Sequence, residues 1–551
     1  MAAIVSSNFR SLNAQNFKED VTATGSNVYI GLGKPSAWTT STGTVTDSTP
    51  ALPVDAIDNI NLARKQLLGI KKISDTDVSH VCPRHNWSNN EIYVAWDSND
   101  ADIFEKAFYV LTADFKVYKC LYSTGTGVSD VPTSTSAAPF TTADNYVWKY
   151  MYTILAADAE KFLTTSYMPV KTLTVSTTGL TSGAVNSGTV FTLTAENPDI
   201  QIGQLVTGTN VTGTPVVTVI DGTRITVDVT QSGSAVASGA TLTFGDFPAT
   251  SVSNAQQQAQ KTSAALGNVR GIERILITAV GSGYPDNASG VTMLISGDGA
   301  SAAITVTDAM IGSDERFAIT SHIPNNKGSA YTVADIVISD SGDGTGATAR
   351  AIIAPGQGHG TDPVQELGGF YVAINAQISG ATDATDIVNT NDFRQITLIK
   401  NPLQTTGGAK LTATTARGTK FLKMATEAEH DGTDTLMALV ATAALTGDPV
   451  MTGDTSGSVA YVTAVDTTAN NIKVYYHQNE VTGFGNFTNN ETIDFTVAGS
   501  AIASNVNTLS SAATVAAGFD TSSGEVLFLE NRDPIQRSTT QVEDVKLIIE
   551  F

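Results

Sequence analysis

The sequence predicts a mainly β protein with a minor helical part, in which β-sandwich and β-barrel modules are inserted into a discontinuous β-rich core. Three observations lead there. Charged residues make up only 15% of the 551 while glycine alone numbers 47, the texture of short strands and turns rather than of ion-paired surface helices. Short runs of β-branched and aromatic residues recur between turn residues. These runs are of two kinds, aromatic-rich in some stretches and Thr/Val/Gly-rich in others, so more than one kind of module is present.

Residues 1–170 read as the first part of the core. Asn27–Leu32 is a strand, and Gly33–Trp38 turns out of it. Val54–Leu68 carries Ile57, Ile60, Ala63 and Leu67 at helical spacing, with Gly69 placed to stop the helix. Val81–Trp87 (VCPRHNW) reads as a rigid turn around Pro83. Ile92–Trp96, Phe108–Leu111 and Val117–Tyr122 read as alternating strands, and Tyr146–Leu155 (YVWKYMYTIL) as a long aromatic one.

Residues 171–250 nearly lose their aromatics. Val190–Thr194, Gln204–Thr207, Pro215–Ile220, Arg224–Val229 and Thr241–Phe244, spaced by turns, fit an inserted β-sandwich or barrel. Residues 251–368 combine a polar helix, Ser253–Leu266, with an internal repeat. Gly281-Ser-Gly-Tyr284 leads to Gly297-Asp-Gly299, and Gly328-Ser-Ala-Tyr331 leads to Gly342-Asp-Gly344. Each copy is a strand–turn–strand unit able to pack on its twin. Residues 369–439 resume the core with strands at Phe370–Ile374 and Phe393–Lys400, and residues 440–510 form a second insert, a small barrel. Residues 511–551 close the core with a hairpin. Val526–Leu529 is expected to be buried on both faces, Glu530–Pro534 to turn, and Val545, Leu547, Ile549 and Phe551 to share one face of the last strand. An aspartate at Leu527 is therefore expected to abolish folding.

The formal net charge of −22 argues against nucleic acid and against anionic membrane as partners. The start, MAAIVSSNFR, has no basic segment leading into an apolar one, so no secretory signal is expected. The longest apolar stretch, Met437–Leu445, is too short to span a bilayer. Cys82 and Cys120 are too few for a disulfide framework and read as buried free thiols, a single bridge being the alternative.

The search for chemistry yields no catalytic, cofactor-binding or metal-binding residue and no small-molecule substrate. His80, His85, His322, His359, His430 and His477 stand outside any metal or catalytic motif, and His85 near Cys82 supplies only two ligands. Asp340–Thr345 lacks the spacing of a calcium loop and reads as a tight turn. The glycines at 342, 344, 346 and at 356, 358, 360 do not follow a strand into an apolar helix, so no phosphate cradle is expected. The chain reads as a scaffold that works through surfaces. Its isolated aromatics and arginines at turns are the structural or interface candidates: Trp38, Pro83, Arg84, Trp87, Trp148, Arg394, Glu530, Asn531 and Arg532. Arg532 either pairs locally with Glu530 or Asp533 or contacts another subunit.

Six segments in order, Ala3–Phe9, Val28–Trp38, Val81–Trp87, Asp144–Ile154, Phe393–Leu403 and Ser523–Phe551, resemble a baseplate wedge subunit of contractile-tailed bacteriophages of the T-even type, the one that forms a dimer in each wedge. The resemblance covers about half the chain and leaves out residues 171–250, about 440–510 and the Gly-Tyr repeats. It implies a structural virion protein without enzyme activity or cofactor. Such a protein is assembled in the host bacterial cytoplasm and sits in the tail baseplate. It would be a homodimer in each wedge, repeated around a sixfold baseplate, with other wedge proteins as neighbours. A receptor- or glycan-binding tail adhesin is the competing reading, weakened by the lack of aromatics in the first insert. A depolymerase would want a parallel β-helix repeat and a carboxylate cluster, and the sequence shows neither.

Overall fold

A computed structural model describes residues 4–551 apart from 24, 39–43, 137, 171–176, 198–199, 201–203, 246–269, 319, 356–357, 361, 384–385, 389–390, 406, 425–448, 467–471, 480, 498–499, 502–506, 516 and 539. The helix expected over Ser253–Leu266, the stretch Met437–Leu445 and His430 lie outside the described residues. The protein is mainly β, built from antiparallel sheets with few helices, as its composition predicts. It divides into two compact units. The first holds residues 1–18, 79–373 and 548–551, and the second residues 19–78 and 374–547. Residues 1–170 are therefore not one block, because 19–78 belong with the later half of the chain.

The second unit is organised on a five-stranded antiparallel sheet in the order Thr415–Arg417, Leu67–Lys72, Val28–Gly33, Asp392–Lys400, Glu525–Gln536. Val28–Gly33 is buried at every position and Phe393–Ile399 likewise, which is why these stretches read as continuous apolar runs. The helix here is shorter than expected, Ile57–Lys65, and buries only Ala63. Gly69 does not end it. Gly69 lies inside the Leu67–Lys72 strand, where a β-carbon would come within 2.6 Å of the Asp386 carbonyl oxygen. Only glycine permits that approach.

The terminal segment departs most from expectation. Glu525–Gln536 is one continuous strand, so Glu530–Pro534 is not a turn. The register with Asp392–Lys400 steps from Phe393↔Ile535 to Gln395↔Asn531. Arg532, Asp533 and Pro534 thus bulge out opposite Arg394 alone, which accommodates a proline that cannot donate to the ladder. The strand is the edge of its sheet, and Leu527 is 37% exposed rather than buried. Leu527→Asp is accordingly expected to shift stability by less than about 1 kcal/mol, measured as the urea midpoint, instead of abolishing folding. Nor do the last two strands form a hairpin: Val542–Glu550 sits in a different sheet, with Val545 and Leu547 buried.

The second unit also contains a closed barrel. Val450–Gly453, Val459–Asp466, Lys473–His477, Lys420–Met424, Asn507–Val515 and Thr492–Val497 pair in that order, and the last pairs back to the first. Leu422, Met451, Val462, Val474, Ile493 and Phe495 fill it. The barrel starts before residue 440, since Lys420–Met424, read from sequence as core, is one of its staves.

In the first unit, Tyr109–Leu111, Lys116–Tyr122, Val147–Thr153 and Phe140–Thr141 form a four-stranded sheet. Tyr93, Tyr118, Tyr146, Trp148 and Tyr150 pack together on it. Ile92–Trp96 buries Tyr93 and Ala95 in alternation but forms no ladder. Val81–Pro83, expected as a turn, continues a strand from Val78 that pairs with Tyr167–Val170. Ser7–Thr22, missed in the sequence because its apolar residues keep to no single face, is the longest described helix. Cys82 and Cys120 are buried free thiols, and burial pushes the Cys82 thiol up to about 12.

Residues 177–245 form two three-stranded sheets, Gly188–Thr192/Arg224–Gln231/Val217–Asp221 and Leu205–Gly208/Thr241–Gly245/Thr177–Leu180. They close over their own core of Phe191, Val206, Ile225, Val236, Leu242 and Phe244. The repeats are interlocked rather than side by side. Ile272–Ser282 of the first copy pairs with Thr345–Ile353 of the second, Asn326–Ser329 of the second with Ala300–Ala303 of the first, and Val291–Gly297 with its counterpart Ala334–Asp340. Tyr284 then lies against Gly344, its hydroxyl accepting from Ala347 N at 3.3 Å. Tyr331 lies against Gly299, its hydroxyl accepting from Ala302 N at 3.3 Å. Each copy's tyrosine packs against the Gly-Asp-Gly turn of the other. Gly281 and Gly328 occupy the same left-handed conformation (φ 65° and 62°).

Candidate functional site

A buried polar cluster of the first unit forms a seam between the aromatic sheet and the interlocked repeats. Lys119, midway along Lys116–Tyr122, has no exposed surface, and its Nζ lies 2.8 Å from Glu366 Oε2. Glu366 ends the short Pro363–Glu366 helix, whose entry Asp362 caps by accepting from Gln365 N. The other carboxylate oxygen of Glu366 accepts from Gly360 N at 2.7 Å. From the repeats, Glu273 pairs with Lys327 at 2.6 Å. Between the two carboxylates sits His359, with Nε2 3.6 Å from Glu273 and Nδ1 3.8 Å from Glu366. These distances are too long for hydrogen bonds, so the ring acts on the two carboxylates through space and neither ring nitrogen has a hydrogen-bond partner. Trp96 packs edge-on to His359 at 4.9 Å, and the Lys119 ammonium lies 4.5 Å over the Trp96 ring. Beside it, Arg274 donates to the Trp96 carbonyl oxygen at 2.6 Å, and Arg350 forks onto both oxygens of Asp97.

The electrostatics follow from burial and pairing. Burial raises the carboxyls, but Lys119 and His359 reverse this at Glu366, and His359 and Lys327 reverse it at Glu273. Both are held down at about 2. Burial pulls Lys119 down, against the pull of Glu366. Lys149, directly across the ladder from Lys119, is brought down to about 8 by burial first and by Lys119 second. Glu366 is thus the shared counter-charge of two lysines facing each other across strands. The carboxylates and Lys119 are committed to one another and turned away from solvent. What the seam does is fix the repeat pair to the aromatic sheet.

A second cluster, in the second unit, gathers several candidates named from the sequence. Arg394, 4% exposed, forks onto both oxygens of Asp47 at 2.8 and 2.9 Å, donates to the Pro35 carbonyl oxygen at 2.5 Å and reaches Asp392 at 3.1 Å. Trp38 donates its indole N–H to the Arg532 carbonyl oxygen at 3.0 Å. Asn531 accepts from Gln395 and donates to the Ala51 carbonyl oxygen. Glu530 pairs in register with Ile396. Arg532 forms no ion pair with Glu530 or Asp533 among the described residues, so its local pairing is not what the structure contains. The cluster ties Pro35, Trp38, Asp47 and Ala51 to the sheet. Arg394→Lys, which keeps the charge but loses the fork, is expected to cost about 3 kcal/mol in urea unfolding.

The other candidates stay in the first unit. Pro83 ends its strand, and its carbonyl oxygen accepts from Tyr109. Arg84 bonds Asn86 and the Thr164 carbonyl oxygen at 2.7 Å each. Trp148 is fully buried, stacked 5.7 Å from Tyr146, and Trp87 packs on the same cluster. The Asp340–Thr345 loop is a turn in which Asp340 accepts from Gly344 N. Sequence reasoning missed the seam. Its visible trace was a lysine in the middle of each buried aromatic strand, KVYKCLY and VWKYMYT, since a buried lysine requires a partner elsewhere.

No protein-family model matches this chain, and no curated protein does. Among the described residues no helix is long and apolar enough to cross a membrane.

Proposed function

We propose that the chain is a structural virion protein without enzymatic activity, a wedge subunit of a contractile-tail phage baseplate that bridges neighbouring wedge proteins, as a homodimer, during assembly. One observation carries this reading. Val28–Trp38, Phe393–Leu403 and Ser523–Phe551, three of the segments that carry the wedge-protein resemblance, lie as far as about 500 residues apart in sequence. Their strands Val28–Gly33, Asp392–Lys400 and Glu525–Gln536 are consecutive neighbours in one sheet. Strands from three of the six segments are thus joined in one sheet, while residues 177–245, outside the resemblance, close over a separate core. The commitment of the buried ionic groups to one another supports the same role, because a load-carrying scaffold needs modules held in fixed relation. Electron microscopy of purified virions tests it: a ring of copies around the tail tube is the expected result, and density confined to fibre tips would overturn it.

A further inference from the structure

We infer that the second unit carries a binding site for a phosphate monoester, formed where the Ile57–Lys65 helix end meets the mouth of the barrel. The cleft has a volume of about 200 Å³ and is lined by Lys65, Lys420, His477, Gln478, Thr521 and Ser522, with Phe484 at its side. This inference goes beyond the structural role proposed above and does not depend on it.

The argument is one of unmatched positive charge. The chain has 53 acidic residues against 31 lysines and arginines, so an ordinary lysine has a carboxylate to find. Lys65 and Lys420 have found none among the described residues. The Lys65 ammonium lies 4.4 Å over the exposed Phe484 ring. Lys420, half-buried at the start of its barrel strand, is pulled down by burial and by Lys65, with no carboxylate acting in the other direction. Two ammonium groups that repel each other in a partly desolvated cleft are costly unless an anion joins them.

The neighbouring polar groups point the same way. His477 is 5% exposed, stacked 5.3 Å from Tyr461, and neither of its ring nitrogens has a hydrogen-bond partner. Burial and Lys34 keep this imidazole neutral, at about 3, so it retains one N–H to offer. The Thr521 and Ser522 hydroxyls have no partner among the described residues. Gln478 donates to the Val459 and Gly485 carbonyl oxygens at 3.0 and 2.8 Å and holds the wall in place. Two cations, an imidazole N–H and two hydroxyls are a donor set for a tetrahedral dianion. The size of the cleft suits one phosphate with a short ester substituent, and the Phe484 ring offers that substituent an apolar face.

The test is isothermal titration of the full chain with inorganic phosphate, glycerol 3-phosphate and sodium chloride at equal ionic strength. Phosphate and glycerol 3-phosphate are expected to bind with dissociation constants of about 1 mM or below, and chloride to show no saturable heat. Tighter binding of glycerol 3-phosphate assigns the site to an ester-borne phosphate on a lipid or glycan, and equal binding assigns it to the free ion. Lys65→Gln/Lys420→Gln is expected to weaken both at least tenfold. Without phosphate, the same variant is expected to melt no lower than the wild-type chain, because its repulsion is gone. No saturable phosphate binding, undiminished binding by the variant, or a variant that melts lower in phosphate-free buffer would each overturn the proposal.

Discussion

Glu366→Gln is expected to lower the stability of the first unit by about 3–5 kcal/mol, a large fraction of what holds a domain folded. The amide keeps the shape and can still accept from Gly360 N. What it removes is the counter-charge of Lys119, which has no exposed surface, and of Lys149 across the ladder. Hydrogen exchange over Lys116–Tyr122 and Ile272–Ser282 reads the loss on both sides of the seam. Deleting the charges together should cost far less. Lys119→Met/Glu366→Leu fills a similar volume and leaves Lys149, already brought down to about 8 by its burial, as the one buried group still to shed its charge, and it is expected to recover much of the stability that Glu366→Gln loses. If the double variant is as unstable as the single one, the seam is held by packing and not by charge.

The same pair gives a pH signature whose sign is fixed. Glu273 and Glu366 are held at about 2 in the folded chain against 4.5 for an ordinary glutamate. A depressed carboxyl contributes stability that is present above the unfolded value and is lost as pH falls through the folded one. Stability of the first unit should therefore decline between about pH 4.5 and pH 2, read as a falling urea midpoint. Glu366→Gln should flatten about half of that decline.

The strands were legible in the sequence because burial on both faces writes itself as an apolar run, as at Val28–Gly33 and Phe393–Lys400, and half-burial as alternation, as at Val545 and Leu547. The partner of the Val526–Leu529 segment was half legible: shared composition points to Phe393–Lys400, with which it pairs, and equally to the aromatic strands of residues 1–170, with which it does not. What the sequence hid was set by distant partners. Nothing local says that Pro534 sits in a bulge opposite Arg394 rather than in a turn, or that Gly69 is a point of close approach to Asp386 rather than a helix stop. Leu527 reads as core because its neighbours are apolar, yet its strand is the last of its sheet. The polar clusters were half legible. Trp38, Arg394 and Asn531 stand out as isolated polar or aromatic residues at segment ends. Glu273, His359 and Glu366 look like surface residues until the fold buries them together. The glycines around His359, dismissed as a phosphate cradle, serve a backbone need instead: Gly358 and Gly360 take left-handed conformations (φ 83° and 92°) around the histidine at the seam.

Tyr284→Ala is expected to unfold both copies of the repeat and not only its own. The ring is 2% exposed, packs against Phe317 at 5.0 Å and covers the Gly342–Gly344 turn of the other copy. Truncating a buried aromatic costs about 3–5 kcal/mol, and here the loss is shared because the strands cross over. The first copy's Ile272–Ser282 has its long ladder with the second copy's Thr345–Ile353, so neither copy owns a complete sheet. Side-by-side repeats would confine the damage to one half. Interlocked ones should lose hydrogen-exchange protection together, over Val291–Gly297 as well as Ala334–Asp340. Tyr331→Ala should reproduce the pattern from the other side. Gly299→Ala and Gly344→Ala should do so as well, because a β-carbon at either position would overlap the facing tyrosine ring. Protection lost around Tyr284 alone, with the second copy intact, would show two independent units and refute the interlock.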